Sequence, residues 1–220
     1  MASASGSRLE FWYDFASTYS YLSAMRIERL AASAGVELVW KPFLLGPIFR
    51  TQGWDTSPFN IYPAKGRYMV RDIERLAATR GLPFKLPTPF PQNSLYAARL
   101  ALIGLAEGWG VAFTRAVYHA EFADGADIGH KRVLAGLLAQ LGPHSAPSLI
   151  GDAEAILARS ELPETKQRLR QQTEEAQELG IFGAPSFLAR NELFWGDDRL
   201  EEALAVAAGR PIARPEPPAS

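Results

Sequence analysis

The segment 9–22 constrains the fold of this chain more than any other, because a strand pattern runs directly into a helix pattern there. Residues 9–13 are apolar and aromatic, as in a buried strand. Apolar residues then recur at helical spacing up to Gly35, and residues 36–40 have the pattern of a second strand. Together these elements predict a β-α-β unit with parallel strands and a right-handed crossover.

The rest of the chain separates into a helical middle and a second strand region. An irregular stretch, 42–63, precedes an almost wholly helical pattern that extends to about residue 169. Residues 183–189 and 193–195 have the pattern of two strands joined by a turn, and a last helix follows. The order predicts an α/β protein, in which a thioredoxin-like core (β-α-β … β-β-α) carries a large all-helical insertion.

The same order predicts how the chain is divided. We expect a discontinuous thioredoxin-like domain formed by residues 8–63 and 162–210, and a helical insertion domain formed by residues 64–161. The termini, residues 1–7 and 211–220, are expected to be flexible. The aromatic residues of the 42–63 stretch argue against disorder there. They either fasten this loop to the body of the protein or form a wall for a substrate.

The absence of cysteine from all 220 residues limits the chemistry of the junction. Without thiols the chain cannot carry out dithiol exchange, form disulfides or bind a metal through thiolates. Its three histidines share no helical metal-ligand spacing, so we expect no metal site. If the junction handles sulfur, the sulfur arrives with a ligand, and glutathione is the candidate.

The net charge and the hydropathy of the chain limit the kinds of binding partner that we expect. The formal net charge of −1 provides no basic field for nucleic acid, and no apolar run is long enough to cross a bilayer. The first eight residues lack the apolar core of a secretory signal. We therefore expect a cytoplasmic protein with neither a nucleic-acid nor a membrane partner.

Ser17 stands at the strand-to-helix junction, where two roles are open to its hydroxyl. It can cap the helix by accepting a backbone N–H. It can instead donate to a bound thiolate, with backbone N–H groups of Thr18 and Tyr19 as further donors. No histidine lies near Ser17 in sequence, which argues against a hydrolase triad.

Two later segments carry the other candidate ligand-binding groups. Ala184-Pro185 at a strand entry is either an ordinary strand-start proline or a cis bond that turns the Ala184 backbone toward an extended peptide. Asp197 and Asp198 suit the start of a helix, where Asp197 is a good N-cap. As a pair, they can also hold the α-ammonium of a γ-glutamyl group.

Three motifs taken together show a resemblance to a known family. Residues 14–22 (Asp-Phe-Ala-Ser-Thr-Tyr-Ser-Tyr-Leu) resemble the D-F-x-S-P-x-S-Y-L of 2-hydroxychromene-2-carboxylate isomerases and their relatives, the kappa-class glutathione transferases. Residues 183–186 resemble the cis-proline element of that family, and residues 195–200 resemble its W/F-G-[NS]-D-R-[LM] motif. The resemblance extends from about Leu9 to Gly209, with the motifs in the family's order.

The resemblance implies an enzyme of the DsbA-like thioredoxin superfamily that uses reduced glutathione. By this match, Ser17 is the catalytic residue and faces the glutathione sulfur. Ala184 and Pro185 pair with the tripeptide backbone, while Asp197 and Asp198 bind its γ-glutamyl end.

The chain departs from the family's pattern at three places. Thr18 replaces a common proline, and Gly53-Trp54 stands where the family often has Gly-Asn. The family's asparagine contacts glutathione, so Trp54, or Asn60 a few residues on, is the candidate for that contact. The loop 53–63 is also slightly longer than in the family, so the acceptor pocket is expected to differ more from the family than the glutathione site does.

The reaction implied is a cis-trans isomerisation by reversible addition of glutathione thiolate to an unsaturated hydroxychromene carboxylate. Phe59 and Lys65 are candidates for the substrate pocket, although Lys65 also suits a solvated first helical turn. The alternatives are a kappa-type transferase or peroxidase, and a non-catalytic thioredoxin-like protein that binds glutathione or a peptide. The resemblance further implies a homodimer that acts on a small aromatic or electrophilic substrate.

Overall fold

The computed structural model describes residues 7–141 and 152–210, so the predicted flexible termini lie outside it except for Ser7. Four strands form one mixed sheet in the order β2-β1-β3-β4. The central β1 (Arg8–Tyr13) is parallel to β2 (Glu37–Pro42) and antiparallel to β3 (Ser186–Ala189), which pairs with β4 (Glu192–Trp195). The predicted fold class is therefore confirmed.

The helix expected after β1 is divided in two. Helix α1 (Thr18–Ala24) and helix α2 (Ile27–Ala34) are separated by Met25 and Arg26. Arg26 leaves the helical conformation, with φ −130° and ψ −17°, and its guanidinium reaches Asp197 near the other end of the chain. A long-range contact thus accompanies a break that the apolar spacing did not predict.

The 42–63 stretch is more regular than its prolines predict. It contains α3 (Leu45–Thr51) and the short α4 (Pro58–Ile61). Pro47 and Pro58 lie in the first turns of these helices, where the backbone N–H has no intrahelical partner to lose. The Ser57 hydroxyl caps α4 by accepting the N–H of Phe59 at 3.3 Å.

The predicted helical region is helical over most of its described residues, whereas residues 142–151 lie outside the described part of the chain and the division from the core at residues 64 and 161 stays a prediction. A π-helical turn, Ala120–Asp124, follows directly after the helix Gly110–His119 and places Glu121 in the interior. The helices are α5 (Pro63–Thr79), α6 (Leu95–Glu107), α7 (Gly110–His119), α8 (Lys131–Gln140), α9 (Ala153–Arg159) and α10 (Pro163–Glu178). After the sheet, a 3-10 turn (Asp197–Arg199) leads into α11 (Leu200–Ala207).

Strand β1 supplies aromatic side chains to both faces of the sheet, because successive residues of a strand point to opposite sides. Phe11 and Tyr13 belong to the main core, and Trp12 to a second cluster with Phe43 and Ile181. Burying one such ring contributes roughly 1.5–3 kcal/mol. The residues that follow β1 are therefore held on a rigid base.

Within the described chain, no helix combines the length and apolarity needed to cross a membrane.

Candidate functional site

Ser17 lies at the start of α1 and is 8% exposed. Its side-chain oxygen accepts the N–H of Ser20 at 3.2 Å, so the predicted helix cap is present. The same hydroxyl donates to the carbonyl oxygen of Ala184 at 2.9 Å. The strand-to-helix junction and the proline element, 167 residues apart in the chain, are therefore in direct contact.

The Ala184–Pro185 bond is cis, which is the second of the two conformations that the sequence left open. The carbonyl of Pro185 accepts the N–H of Gly196 at 3.0 Å. This bond joins the proline element to the Trp-Gly-Asp-Asp segment. All three motifs singled out in the sequence thus meet at one edge of the fold.

Two exposed aromatic rings flank the proline element. Phe182 is 46% exposed and Trp195 is 53% exposed, and their ring centroids are 4.9 Å apart. Gly183 makes this packing possible, since a Cβ there would lie 2.3 Å from the indole Nε1 of Trp195. The sequence analysis assigned no role to either ring. The one sequence feature that points to them is that Phe182 precedes Gly183 and Trp195 precedes Gly196, both glycines of the motifs.

Asp197 and Asp198 have opposite environments. The Asp197 carboxylate is buried, accepts the Ser23 hydroxyl at 2.8 Å and pairs with Arg26 at 3.2 Å and with Arg80. Gly196 holds the cap position, so the predicted capping role of Asp197 is wrong: its oxygens turn to the two arginines instead. The Asp198 side chain is 74% exposed and forms an ion pair with Arg199 at 3.6 Å, so its carboxylate is the one of the pair that a ligand can reach.

Asp14 lies beneath the junction and is the site residue that sequence reasoning missed. Its carboxylate accepts the N–H of Ala16 at 2.9 Å and that of Leu45 at 2.7 Å. Burial raises the pKa of Asp14, although these backbone hydrogen bonds oppose the shift. Asp14 thereby joins the end of β1 to the start of α3. Its place in the first motif was the available signal.

Thr18 and Tyr19 direct their side chains to α5. The Thr18 hydroxyl lies 3.7 Å from the Met69 sulfur, and the Tyr19 hydroxyl donates to the Asp72 carboxylate at 2.9 Å. Burial and, after it, the hydrogen bond to Asp72 raise the pKa of the Tyr19 phenol. The phenol therefore stays protonated in the physiological range.

An open cleft of about 420 Å³ lies where α1, α4 and α5 meet. It brings together the two predicted pocket residues, Phe59 and Lys65, with Tyr19. The Lys65 ammonium lies 5.0 Å from the ring centre of Tyr62. The full lining consists of Tyr19, Phe59, Ala64, Lys65, Tyr68 and Met69.

Trp54 and Asn60 lie in the segment between α3 and α5. The Trp54 ring packs on Phe49 with a centroid distance of 5.9 Å. The exposed Asn60 amide donates to the Thr56 hydroxyl at 3.0 Å. Their role in binding glutathione stays a prediction, because these contacts are local and do not join either residue to Ser17.

The comparison with known proteins agrees with this geometry. Residues 8–206 match the family model for a DsbA-like thioredoxin domain. The chain is 28% identical over 195 residues to a 2-hydroxychromene-2-carboxylate isomerase of Sphingobium xenophagum, a match that covers 88% of this chain and 94% of that protein. It is 29% identical over 217 residues to glutathione S-transferase kappa 2 of Caenorhabditis elegans, with 91% of each chain covered. The solved structure of a 2-hydroxychromene-2-carboxylate isomerase is similar, with a TM-score of 0.76 and 26% identity, over 88% of this chain and 90% of that one.

Proposed function

This chain belongs to the family of DsbA-like thioredoxin domains, and on that premise we propose that it is a glutathione-dependent isomerase of the 2-hydroxychromene-2-carboxylate type. The observation that carries the proposal is the 2.9 Å contact between the Ser17 hydroxyl and the Ala184 carbonyl, beside a cis-proline. In a chain without cysteine, this contact puts a neutral donor at a site suited to a ligand's sulfur. The similarity to named isomerases supports the reaction type.

In the proposed complex, the Ser17 hydroxyl turns from the Ala184 carbonyl to the glutathione sulfur. A hydrogen bond to a thiolate is charge-assisted and stabilises the ionised form. The same movement frees the Ala184 carbonyl to accept the N–H of the glutathione cysteinyl residue. Backbone N–H groups of Thr18 and Tyr19 add their dipoles to the stabilisation.

The two ends of glutathione have separate partners in this proposal. Asp198 binds the γ-glutamyl ammonium, since its carboxylate is exposed. Asp197 supports glutathione binding indirectly, because its ion pairs with Arg26 and Arg80 hold the turn that carries Asp198. Trp54 and Asn60 remain the candidates for the other end of the tripeptide.

The cleft beside α1 is the proposed acceptor site. Its aromatic walls suit a planar ring, and Lys65 offers a positive charge to a carboxylate. The hemiketal ring of the hydroxychromene first opens: its ring C–O bond breaks, the phenol oxygen takes the proton of the hemiketal hydroxyl, and a cis unsaturated ketone forms. The glutathione thiolate adds to the β-carbon of this ketone, and the electron pair of the double bond moves into the conjugated carbonyl. Rotation about the resulting single bond and departure of the thiolate then restore the double bond in the trans form, with glutathione unchanged.

The first test is calorimetric titration with reduced glutathione. We expect saturable binding by the wild-type protein and binding weakened by about tenfold or more in Asp198→Ala, because a charge-assisted contact is lost. Asp124→Ala, which removes another exposed carboxylate, should bind as wild type. Ser17→Ala should keep much of the affinity but lose turnover. Undetectable binding at millimolar glutathione would reject the proposed function.

The fate of glutathione separates the alternatives. An isomerase converts the hydroxychromene carboxylate to trans-benzylidene pyruvate without consuming glutathione. A kappa-type transferase, favoured by the similarity to glutathione S-transferase kappa 2, consumes one glutathione per aryl halide, and a peroxidase oxidises it. Binding without any product would indicate a non-catalytic protein.

Two further expectations belong to this proposal. Dependence on reduced glutathione suits a reducing compartment such as the cytoplasm. The family resemblance also leads us to propose a homodimer, which light scattering coupled to size-exclusion chromatography will measure directly.

A further inference from the structure

The walls of the acceptor cleft come from different helices. Tyr19 belongs to α1 and Phe59 to α4, whereas Lys65, Tyr68 and Met69 belong to α5. The spacing of the walls therefore depends on how α1 and α5 are held together. Within the described ranges, two side-chain hydrogen bonds connect these helices, from Tyr19 to Asp72 and from Thr18 to Met69.

These two hydrogen bonds differ in strength. The Tyr19 phenol donates to a carboxylate oxygen at 2.9 Å, which is a charge-assisted contact about twice as strong as a neutral one. The Thr18 hydroxyl donates to a thioether sulfur at 3.7 Å, and sulfur is a weak acceptor. The contact to Asp72 is therefore the one that sets the position of the Tyr19 ring.

Asp72 also connects to the opposite wall. Its second oxygen pairs with Arg75 at 3.2 Å, and the Arg75 guanidinium lies 5.7 Å from the ring centre of Tyr68. A chain of contacts thus runs from Tyr19 through Asp72 and Arg75 to Tyr68. The Tyr19 and Tyr68 rings at the two ends of this chain line the cleft, whereas Asp72 and Arg75 are not among the residues that line it.

We infer that Asp72 is a positioning residue for the acceptor: through its contacts with Tyr19 and Arg75 it holds the Tyr19 and Tyr68 rings in place as walls of the cleft for an aromatic group. The inference rests on the proposed function for the identity of the acceptor. It assigns the Tyr19 side chain to the acceptor site, while the backbone N–H of Tyr19 keeps its proposed contact with glutathione. The chain therefore selects its acceptor partly through a residue that does not touch it.

The test is a fluorescence titration with anilinonaphthalene sulfonate, a planar aromatic anion. We expect Tyr19→Phe to weaken binding by about tenfold and Asp72→Ala by at least as much, since it also releases Arg75; the double variant should be no weaker than Asp72→Ala, because the Tyr19 hydrogen bond is already lost there. Glu74→Ala is the matched control, because it breaks a parallel ion pair, with Arg71 at 2.9 Å, on the same helix. It should bind as wild type, and Phe59→Ala should bind weakly.

Three results would overturn the inference. They are wild-type affinity in Asp72→Ala, additive losses in the double variant, and binding that survives Phe59→Ala. Asp72→Asn, which keeps an oxygen acceptor for Tyr19, should recover part of the affinity. Turnover distinguishes the two proposals. If neither the wild type nor any variant isomerises a substrate while the expected binding pattern holds, the proposed function is wrong and the positioning role stands. If the wild type is active and Asp72→Ala keeps its KM for the acceptor, the positioning role is wrong.

Discussion

Glu121 is a carboxyl group with no exposed surface, carried inward by the π-helical turn after α7. Within residues 7–141 and 152–210, neither of its oxygens has a hydrogen-bond partner. Burial first, and then the negative charges of Asp14 and Asp127, raise the pKa of Glu121 well above its usual range. At pH values between the ordinary glutamate pKa and this raised pKa, the folded protein therefore holds a proton at Glu121 that the unfolded chain releases.

This proton makes the stability of the protein depend on pH. Above the ordinary glutamate pKa, and until the raised pKa is reached, the folded state binds one more proton than the unfolded state. The free energy of unfolding then falls by up to about 1.4 kcal/mol per pH unit. Glu121→Gln has no such proton, so its stability relative to wild type should increase as the pH rises from 5 to 9.

Urea unfolding of both proteins across that pH range measures the difference. Glu28→Gln, which alters an exposed pair with Arg115, is the control and should show a small difference that is nearly constant with pH. A constant difference for Glu121→Gln as well would mean that Glu121 is ionised in the folded protein.

Among the elements, the 3-10 turn before α11 depends on the backbone of Gly196. Its φ of 108° and ψ of 148° lie in a region that glycine alone adopts readily. A Cβ at this position would also lie 2.5 Å from an oxygen of Asp198. The turn and the exposed carboxylate are therefore shaped by the same residue.

Gly196→Ala should lower the free energy of unfolding by about 1–3 kcal/mol and weaken glutathione binding, because the turn and the Asp198 carboxylate both move. Gly136→Ala in α8 is the matched control, since the added Cβ meets open space and alanine favours a helix. Thermal unfolding and calorimetry measure both effects. Equal behaviour of the two variants would contradict the account of the turn.

The elements also show what sequence reasoning can reach. The strand-to-helix junction and the hairpin follow from local patterns and were predicted, whereas the local pattern left the Ala184–Pro185 bond open and the family resemblance pointed to the cis form. The two short helices within 42–63 were not, because proline signals a break and a first helical turn alike. The partners of Asp197 were out of reach, since Arg80 is 117 residues away in the chain. The direction of the Tyr19 side chain likewise depends on where α5 packs.

For the molecule as a whole, Asp197 is the point where distant parts of the chain are joined. Its buried carboxylate contacts Ser23 in α1, Arg26 between α1 and α2, and Arg80 at the end of α5. Removing one partner of a buried ion pair leaves the other charges uncompensated, which costs about 3–5 kcal/mol. An exposed carboxylate has no comparable effect.

Asp197→Ala should therefore destabilise the protein by about 3–5 kcal/mol, whereas Asp198→Ala should change its stability by no more than about 0.5 kcal/mol. Denaturant unfolding of the two variants provides the comparison. Glutathione binding should weaken in both variants: directly in Asp198→Ala, and through the released turn in Asp197→Ala. Similar losses of stability would contradict the distinct roles assigned to the two residues.

The placement of β1 at the centre of the sheet has a consequence for how the protein is made. Leu9 pairs with Leu38 on one side and with Ala189 on the other. A ribosome adding roughly 5–20 residues per second takes roughly 8–30 s to pass from one partner to the other. During that interval the nascent chain presents an unpaired edge rich in aromatic residues, a target for chaperones and for aggregation. Since Ala184 is made 167 residues after Ser17, the site cannot assemble before the ribosome has reached the proline element.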